Sequence, residues 1–278
     1  MTLSERPLKP GFTLLQRLAD DGRYVFTTAD AVRRGGELGL SRSAAYMLLS
    51  RLCADGWIER LRRGLYAGTG RLPGGVDVHA FAIGAALAAP SAISHWSALS
   101  FHHLTDQIPR VVTLSTPRRV PPIGLGGGHG DAQRPTRWTV LDVSFEIIRV
   151  KESRFFGVEQ VWVDDKSQVP ITDRERTVLD LFAAPRFFGG IDRALATLHE
   201  QSADLDLGRL VEYGVRFDSK AVCARLGWSL EQVGASAAQL EPLRCGAGPG
   251  LQVLDPTRPR RGRSVTAWHL LDNVSPRS

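Results

Sequence analysis

Apolar positions near the start of the chain recur with the period of an α-helix. A helix is predicted over residues 11–20, ending near Asp21, because its apolar side chains share one face: Phe12, Leu14, Leu15 and Leu18. A second helix is predicted in TTADAVRRGGELG, with Thr28 as the expected N-cap and an end at Gly35-Gly36. Two short helices are therefore expected before residue 40.

A third helix is predicted to begin at Ser41, a residue type that favours the N-cap position. Its apolar residues fall at positions i, i+3, i+4 and i+7, which defines a buried stripe of Ala45, Leu48, Leu49 and Leu52. The opposite face carries short hydroxyls, one aromatic ring and flanking arginines: Arg42, Ser43, Tyr46, Met47, Ser50 and Arg51. Such side chains can hydrogen-bond base edges and phosphates when a helix lies in the major groove of DNA.

Two short strands, WIERL and GLYAG, are predicted directly after this helix. The turn between them is Arg62-Arg63-Gly64, and Arg60 precedes it on the first strand. Three helices followed by a basic two-stranded hairpin make a winged helix-turn-helix, with a reading helix and a wing that touches the DNA backbone. Two alternatives remain open: a winged helix that binds protein, and a hairpin whose charges protect a solvated strand edge.

The remaining sequence predicts a second, larger domain. A segment rich in glycine with Pro73 comes after the hairpin, so we expect few contacts across it. The predicted domains are residues 1–72, a linker at 73–77, and residues 78–278. In the last of these, strands such as RVVTLSTP, WTVLDVSFEIIRV and VEQVWV come early and helices come late, one of them opened by a capping box of Thr172 and Glu175. The predicted fold class is α+β, an N-terminal winged helix-turn-helix followed by a larger mixed α+β domain.

Composition and charge support a globular protein of the cytoplasm. The 278 residues are 43% hydrophobic, with a net charge of +6. Residues 1–72 contain 12 Arg and Lys against 7 Asp and Glu, whereas residues 139–240 contain 12 against 16, so basic charge is concentrated in the first domain. No signal peptide or membrane-spanning run is recognisable, and three widely spaced cysteines do not predict a disulfide framework.

The second domain shows no pattern that indicates catalysis or metal binding. The stretch GLGGGHG, residues 124–130, lacks the strand, Lys-Ser or Lys-Thr and helix context of a phosphate-binding loop, so it is interpreted as a mobile loop. His95 follows Ser94, but sequence neighbours on a helix do not face one another, so an N-cap serine and a packed aromatic ring are expected. His102, His103 and His199 lack metal-ligand spacing, and Asp164-Asp165 fits a turn. We predict no enzymatic activity, no cofactor and no metal.

Several motifs, in this order along the chain, resemble those of the AbiEi-type antitoxins of bacterial type IV toxin–antitoxin systems. They are GWIERLRRGLYAG, PSAISHWSALSFHHL with QIPRVVTLSTPRR, VPITDRERTVLDLF, and LDPTRPRRG with WHLLDN. The resemblance implies a winged-helix domain that binds inverted repeats in its own promoter and a second domain that counteracts a nucleotidyltransferase-type toxin, directly or indirectly. The loop at 121–135 and the CGAGPG stretch match no motif of that family.

Carried onto this sequence, the resemblance implies a function for two groups of residues. The DNA-binding set is Arg42, Ser43, Tyr46, Met47, Ser50, Arg51, Arg60, Arg62 and Arg63. The candidate antitoxin set is Ser94, Ser97, Arg118, Arg119 and Arg176. The expected function is a DNA-binding antitoxin that represses its own operon. The alternatives are a regulator whose second domain senses a ligand or a protein, and an enzymatic antidote that modifies the toxin.

Overall fold

The computed structural model describes residues 10–69, 78–120 and 136–274. The predicted linker at 73–77 and the glycine-rich loop at 121–135 lie outside the described residues. The N-terminal unit, residues 10–69, contains α1 (Pro10–Asp20), β1 (Val25–Thr27), α2 (Thr28–Glu37), α3 (Arg42–Ala54), β2 (Ile58–Arg62) and β3 (Leu65–Gly68). Strands β1, β3 and β2, in that order, form an antiparallel sheet against the three helices.

The core of the N-terminal unit is formed by the predicted apolar faces. Its buried side chains come from all three helices and from the sheet: Leu14, Leu15, Leu18, Phe26, Ala31, Leu49, Leu52 and Ile58. Both predicted strands of the hairpin are confirmed. Strand β1 was not predicted, since three residues are too few to show a strand pattern.

Helix α2 differs at both ends from its prediction. The N-cap is Thr27, not Thr28: its hydroxyl accepts from the Asp30 backbone N–H, and the Asp30 carboxylate accepts from Thr27 in return. The helix also continues through Gly35 to Glu37. Gly35 is buried beside Leu40 and Ala45. Packing thus outweighs the low helix propensity of glycine here.

The C-terminal region, residues 78–274, contains a mixed sheet and a layer of helices. Its elements are α4 (Ala80–Leu87), β4 (Ala92–Ile93), α5 (His95–Phe101), β5 (Val111–Thr116), β6 (Thr136–Val140), β7 (Val143–Arg149), β8 (Val158–Trp162), β9 (Gln168–Thr172), α6 (Arg174–Ala183), α7 (Asp192–Gln201), α8 (Leu207–Arg216), α9 (Lys220–Gln232), α10 (Ala237–Ala247), β10 (Gln252–Val253), β11 (Arg263–Val265) and β12 (Leu270–Asp272). The main sheet has the order β6-β7-β5-β4-β9-β8, and a small sheet has the order β10-β12-β11. The α+β fold class is confirmed.

Strand β7 has a different kind of neighbour on each side. It pairs antiparallel with β6 and parallel with β5, so β5 and β7 end side by side at Thr116 and Arg149. The stretch WTVLDVSFEIIRV is a hairpin rather than one strand. Its turn residues, Leu141 and Asp142, both have positive φ, as a tight two-residue hairpin turn requires.

Helix α6 begins one residue later than predicted. Asp173, not Thr172, is its N-cap, and the Asp173 carboxylate accepts from the Arg176 backbone N–H at 2.7 Å. The other oxygen of Asp173 accepts from the Tyr213 hydroxyl at 2.7 Å. Thr172 instead ends β9, where its hydroxyl bonds to that of Thr177. The cap therefore ties the start of α6 to α8.

The N-terminal unit packs on the C-terminal region through its hairpin. Leu61, Leu65 and Ala67 belong to the same hydrophobic cluster as Ile83 and Leu87 of α4 and the buried face of the main sheet. A second contact places the Lys166 ammonium 5.5 Å from the centre of the Tyr24 ring. The expectation of few contacts across the segment at 68–77 was therefore wrong, because the glycine-rich composition of that segment says nothing about the strands before it.

Candidate nucleic-acid interface

Helix α3 presents the predicted polar face to solvent. Arg42, Ser43, Tyr46, Met47, Ser50 and Arg51 are all exposed, while Ala45, Leu49 and Leu52 are buried. Met47 is 69% exposed and Tyr46 47%, which is a large exposure for hydrophobic side chains of this size. Arg42 lies over the Tyr46 ring, with its guanidinium carbon 5.9 Å from the ring centre. The face is continuous and is free to lie in a groove.

The N-terminus of α3 is fixed by its capping serine. The Ser41 hydroxyl accepts from the Ala44 backbone N–H at 3.2 Å and lies 3.0 Å from the Ser43 hydroxyl. The helix dipole and the remaining free N–H groups at this end favour a negatively charged neighbour such as phosphate. Arg42 adds a positive charge at the same end.

The hairpin exposes three arginines at one end of the unit. Leu61 is buried in the core shared with the C-terminal region, while Arg60 and Arg62 on either side of it are exposed, as strand alternation gives, and the β2–β3 register shifts between these two arginines. Arg63 is the next residue, in the turn, and Gly64 completes the turn at φ +78°, a conformation that glycine adopts without strain. The hairpin is therefore both basic and anchored.

Ion pairing separates these arginines from those on and near α2. On and near α2, Arg23 and Arg33 pair with Asp30, and Arg34 pairs with Asp21 and Glu37. Within residues 10–69, no ion pair is found for the arginines of α3 and the hairpin: Arg42, Arg51, Arg60, Arg62 and Arg63. Their charge is thus not neutralised within the unit, as a phosphate-binding surface requires.

Asp30, the acidic partner of Arg23 and Arg33, is stabilised in its charged form. Partial burial acts to raise the pKa of Asp30, but hydrogen bonds from Thr27 and the charges of Arg23 and Arg33 outweigh it. The net effect holds the pKa of Asp30 below its usual value. The capping box and the ion pairs of Asp30 therefore persist at neutral pH.

The five candidate antitoxin residues do not form one exposed surface. Ser94, Ser97 and Arg176 are buried, whereas Arg118 and Arg119 are exposed just after β5. Ser97 exchanges hydrogen bonds with Thr113: the Ser97 hydroxyl accepts from the Thr113 N–H, and the Thr113 hydroxyl accepts from the Ser97 N–H. Such a residue joins α5 to β5 and cannot touch a partner protein directly.

Ser94 and His95 do contact each other, contrary to the sequence-based expectation. The Ser94 hydroxyl lies 2.9 Å from His95 Nδ1 and 2.8 Å from the Ser115 hydroxyl. Contact is possible because His95 has φ +53°, outside helical geometry, at the start of α5. Burial lowers the pKa of His95, which favours the neutral ring. Ser94 is fully buried, so this pair does not present a nucleophile to solvent.

Comparison with known proteins bears on the N-terminal unit first. Residues 14–67 match the AbiEi antitoxin family. The description of that family model is "Transcriptional regulator, AbiEi antitoxin", and the match contains α3 and the basic hairpin. The resemblance inferred from the sequence is confirmed for these residues. A search of curated proteins gives no match.

The whole chain is similar in fold to a solved structure. This is the structure described as "Crystal structure of RV2827C protein from Mycobacterium tuberculosis". The two chains align with a TM-score of 0.60, over 97% of this chain and 94% of that chain. At 17% sequence identity the likeness concerns the fold alone.

Two further properties concern the described residues as a set. None of their helices has both the length and the apolar content to cross a membrane. Nor do they bring together three or more side chains suited to holding a metal ion. Within the same residues, Cys53, Cys223 and Cys245 are free thiols.

Proposed function

We propose that this chain is a DNA-binding antitoxin whose N-terminal unit is a winged helix-turn-helix that reads inverted repeats in its own promoter. Helix α3 would lie in the major groove, and the hairpin of β2 and β3 would act as the wing on the neighbouring backbone. The observation that carries the proposal is the set of exposed arginines on both elements without an acidic partner in the unit. The family match over residues 14–67 supports it.

Base recognition and phosphate binding would fall to different residues. Ser43, Tyr46, Met47 and Ser50 lie on the central line of the exposed α3 face, where side chains would reach base edges. Arg60, Arg62 and Arg63 would contact phosphates, which fixes orientation without reading sequence. Repression of the operon would then result from occupation of the promoter.

The second half of the proposal is that the C-terminal region opposes a nucleotidyltransferase-type toxin. Its support is the resemblance of the motifs in residues 90–273 to those of the antitoxin family. Among the candidates, Arg118 and Arg119 are exposed and could meet a partner, while Ser94, Ser97 and Arg176 would act by maintaining the fold.

The test for DNA binding is a titration of the intact protein with the DNA upstream of its gene at several salt concentrations. Replacing Arg62 and Arg63 with alanine should weaken binding and reduce the slope of log K against log salt by about 1 to 2, since each phosphate contact contributes about 0.9. The matched control is the pair Arg17→Ala and Arg33→Ala, which removes the same charge from α1 and α2.

The control separates a local contact from the effect of net charge. If both double variants reduce the slope equally, the hairpin has no special role and the wing assignment fails. A truncated protein starting at residue 74 should not shift this DNA. Specific binding by that truncation would place the DNA site in the C-terminal region instead.

A further inference from the structure

Strand β8 is one edge of the main sheet, and it pairs along its length with β9. In an antiparallel pair, a strand bonds to its neighbour at every second residue. The residues just outside β8 show which positions these are. Asp173 donates its N–H to the Gly157 carbonyl, and Val163 donates its N–H to the Ser167 carbonyl. The odd-numbered residues of β8 therefore bond to β9.

The even-numbered residues of β8 direct their N–H and C=O groups to the free side of the edge: Val158, Gln160 and Trp162. Pro170, which has no N–H, is the β9 residue opposite Gln160, as expected at a position that exchanges no bonds. Among the described residues, these outward groups have no hydrogen-bond partner. They form a row of unused donors and acceptors on which another strand can pair.

The side chains along this edge leave it open to such pairing. Val158 is 37% exposed and Trp162 62%, and both lie on the same face of the strand as Gln160. Glu159 is the single charged residue of β8, and the strand contains no lysine or proline, the residues that commonly protect an edge. By contrast, β6 at the opposite edge carries Arg137, whose side chain is 80% exposed.

An apolar cleft of about 530 Å³ lies beside the same strand. Val158 and Gln160 line it on β8, and the lining does not include Trp162 of the same chain. Much of the remaining lining is small or apolar: Ala82, Ala86, Ala89, Pro90, Phe155 and Pro170. Aromatic side chains that enter pockets of this kind often dominate the energy of a protein interface.

We propose that β8 of a second copy of this chain pairs antiparallel with this edge, centred on Gln160. Gln160 then lies opposite its own equivalent, and Val158 lies opposite Trp162 of the second copy. This register uses every outward residue, in three pairs of two bonds each, or about six hydrogen bonds. A shift in either direction would leave some of these groups unpaired. The contact is two-fold symmetric, so it closes on itself and leaves no β8 edge for a third copy.

The strand is complementary to itself, which favours a second copy over an unrelated strand. In this register Trp162 of each copy reaches Val158 of the other, beside the cleft that Val158 lines. Both exposed apolar side chains are covered in each copy. Glu159 lies opposite Val161 of the second copy, so the charged residue does not face its equivalent. The inference does not rest on the proposed DNA binding, although two copies on an inverted repeat are consistent with it.

The first test is analytical ultracentrifugation of the intact protein without DNA, from micromolar to millimolar concentration. We expect a reversible monomer–dimer equilibrium without larger species. The affinity should be modest, because one pair of strands buries less than the roughly 800 Å² per partner of a standard interface.

A matched pair of substitutions assigns the dimer to β8. Val158→Glu should raise the dissociation constant by about tenfold or more, because it places a charge against Trp162 of the second copy. Val215→Glu on α8 is the control, since Val215 is 42% exposed and receives the same change. It should leave dimerisation unchanged. If circular dichroism shows that Val158→Glu does not fold, Trp162→Ser removes the other half of the same contact.

A cysteine on the two-fold axis tests the register. The Cα atoms of a hydrogen-bonded pair lie about 5.5 Å apart, within the range of about 4.4 to 6.8 Å that a disulfide spans. Gln160→Cys should therefore give a disulfide-linked dimer on mild oxidation, in a chain whose exposed Cys245 is replaced by serine. Glu159→Cys in the same background is the control, because two residues at position 159 do not lie opposite one another.

Three results would overturn the proposal. One is a protein that remains monomeric up to millimolar concentration. Another is a dimer that Val158→Glu and Val215→Glu weaken equally or leave intact, since that dimer uses another surface. The third is crosslinking of Glu159→Cys as readily as Gln160→Cys, which excludes the register. None of these measurements contains DNA, so they are decisive even if the proposed operator binding fails.

Discussion

The buried pair of Arg176 and Asp180 gives the sharpest prediction of stability. Arg176 is 2% exposed, and its guanidinium bonds to Asp180 Oδ1 and to the carbonyl oxygens of Arg154 and Phe156, at 2.6 and 3.0 Å. The Phe156 ring lies 4.6 Å from the guanidinium carbon. Arg176→Met should retain the packing against that ring while removing every one of these hydrogen bonds.

The expected cost has two parts. Asp180 becomes a buried charge without its partner, which costs about 3 to 5 kcal/mol. Each of the two carbonyl groups loses a donor, at about 1 to 1.5 kcal/mol each. The free energy of unfolding should therefore fall by about 5 to 8 kcal/mol, close to the whole stability of a typical protein.

A double variant separates these parts. Adding Asp180→Leu removes the stranded charge, so the combined variant should lose only about 2 to 3 kcal/mol, the share of the two carbonyls. The difference of about 3 to 5 kcal/mol between Arg176→Met and the double variant is then the cost of the stranded carboxylate, and urea unfolding of the wild type and these two variants measures it. The control is Arg174→Met on the same helix, which is half-buried and should cost about 1 kcal/mol.

A double variant no more stable than Arg176→Met alone would refute the role given to the stranded charge. If Arg176→Met lowered the free energy of unfolding by less than Arg174→Met does, the role given to burial would be refuted. The outcome bears on function too. Should Arg176 variants lose toxin antagonism in proportion to their loss of stability, Arg176 supports the fold and is not a contact with the toxin.

Two other predictions concern single side chains. Tyr46→Ala on the exposed α3 face should weaken binding to the preferred operator by about 1 to 3 kcal/mol and binding to random DNA by much less, as measured by competition binding. An equal loss of binding free energy on both DNAs would make Tyr46 a backbone contact. Burial, and then the hydrogen bond that its hydroxyl donates to Asp173, raises the pKa of Tyr213 to about 12 from an ordinary 10.0. Its contribution to stability should therefore be complete below pH 10 and decline as the pH approaches 12, and urea unfolding of Tyr213→Phe should lack that decline.

Local sequence signals predicted the N-terminal unit well. The period of apolar residues in α3, its serine N-cap and the glycine at the hairpin turn are all properties of neighbouring residues, so a single sequence displays them. The exposed face of α3 is a direct consequence of that period. Where packing determines how far a helix extends, as at Gly35, the same rules placed the end of α2 too early.

A cleft of about 450 Å³ in the C-terminal region could not be predicted in this way. It joins His95, Arg149, Asp180 and Ser219, which are separated by dozens of residues and come together only through sheet order and helix packing. The contact between Ser94 and His95 depends on a positive φ at a residue that is not glycine, for which the sequence gives no signal. A two-residue strand such as β4 has no pattern to detect either.

The packing of the hairpin links the two halves of the molecule physically. A two-stranded hairpin is marginally stable alone in water, and this one gains support from β1 and from the C-terminal region. Leu61 enters the shared core, while Arg60 and Arg62 on either side of it stay in solvent. The position of the basic hairpin relative to α3 therefore depends in part on residues such as Ile83 and Leu87. Whatever alters α4 or the sheet behind it would shift the proposed wing, so DNA binding and the state of the C-terminal region are expected to be coupled rather than independent.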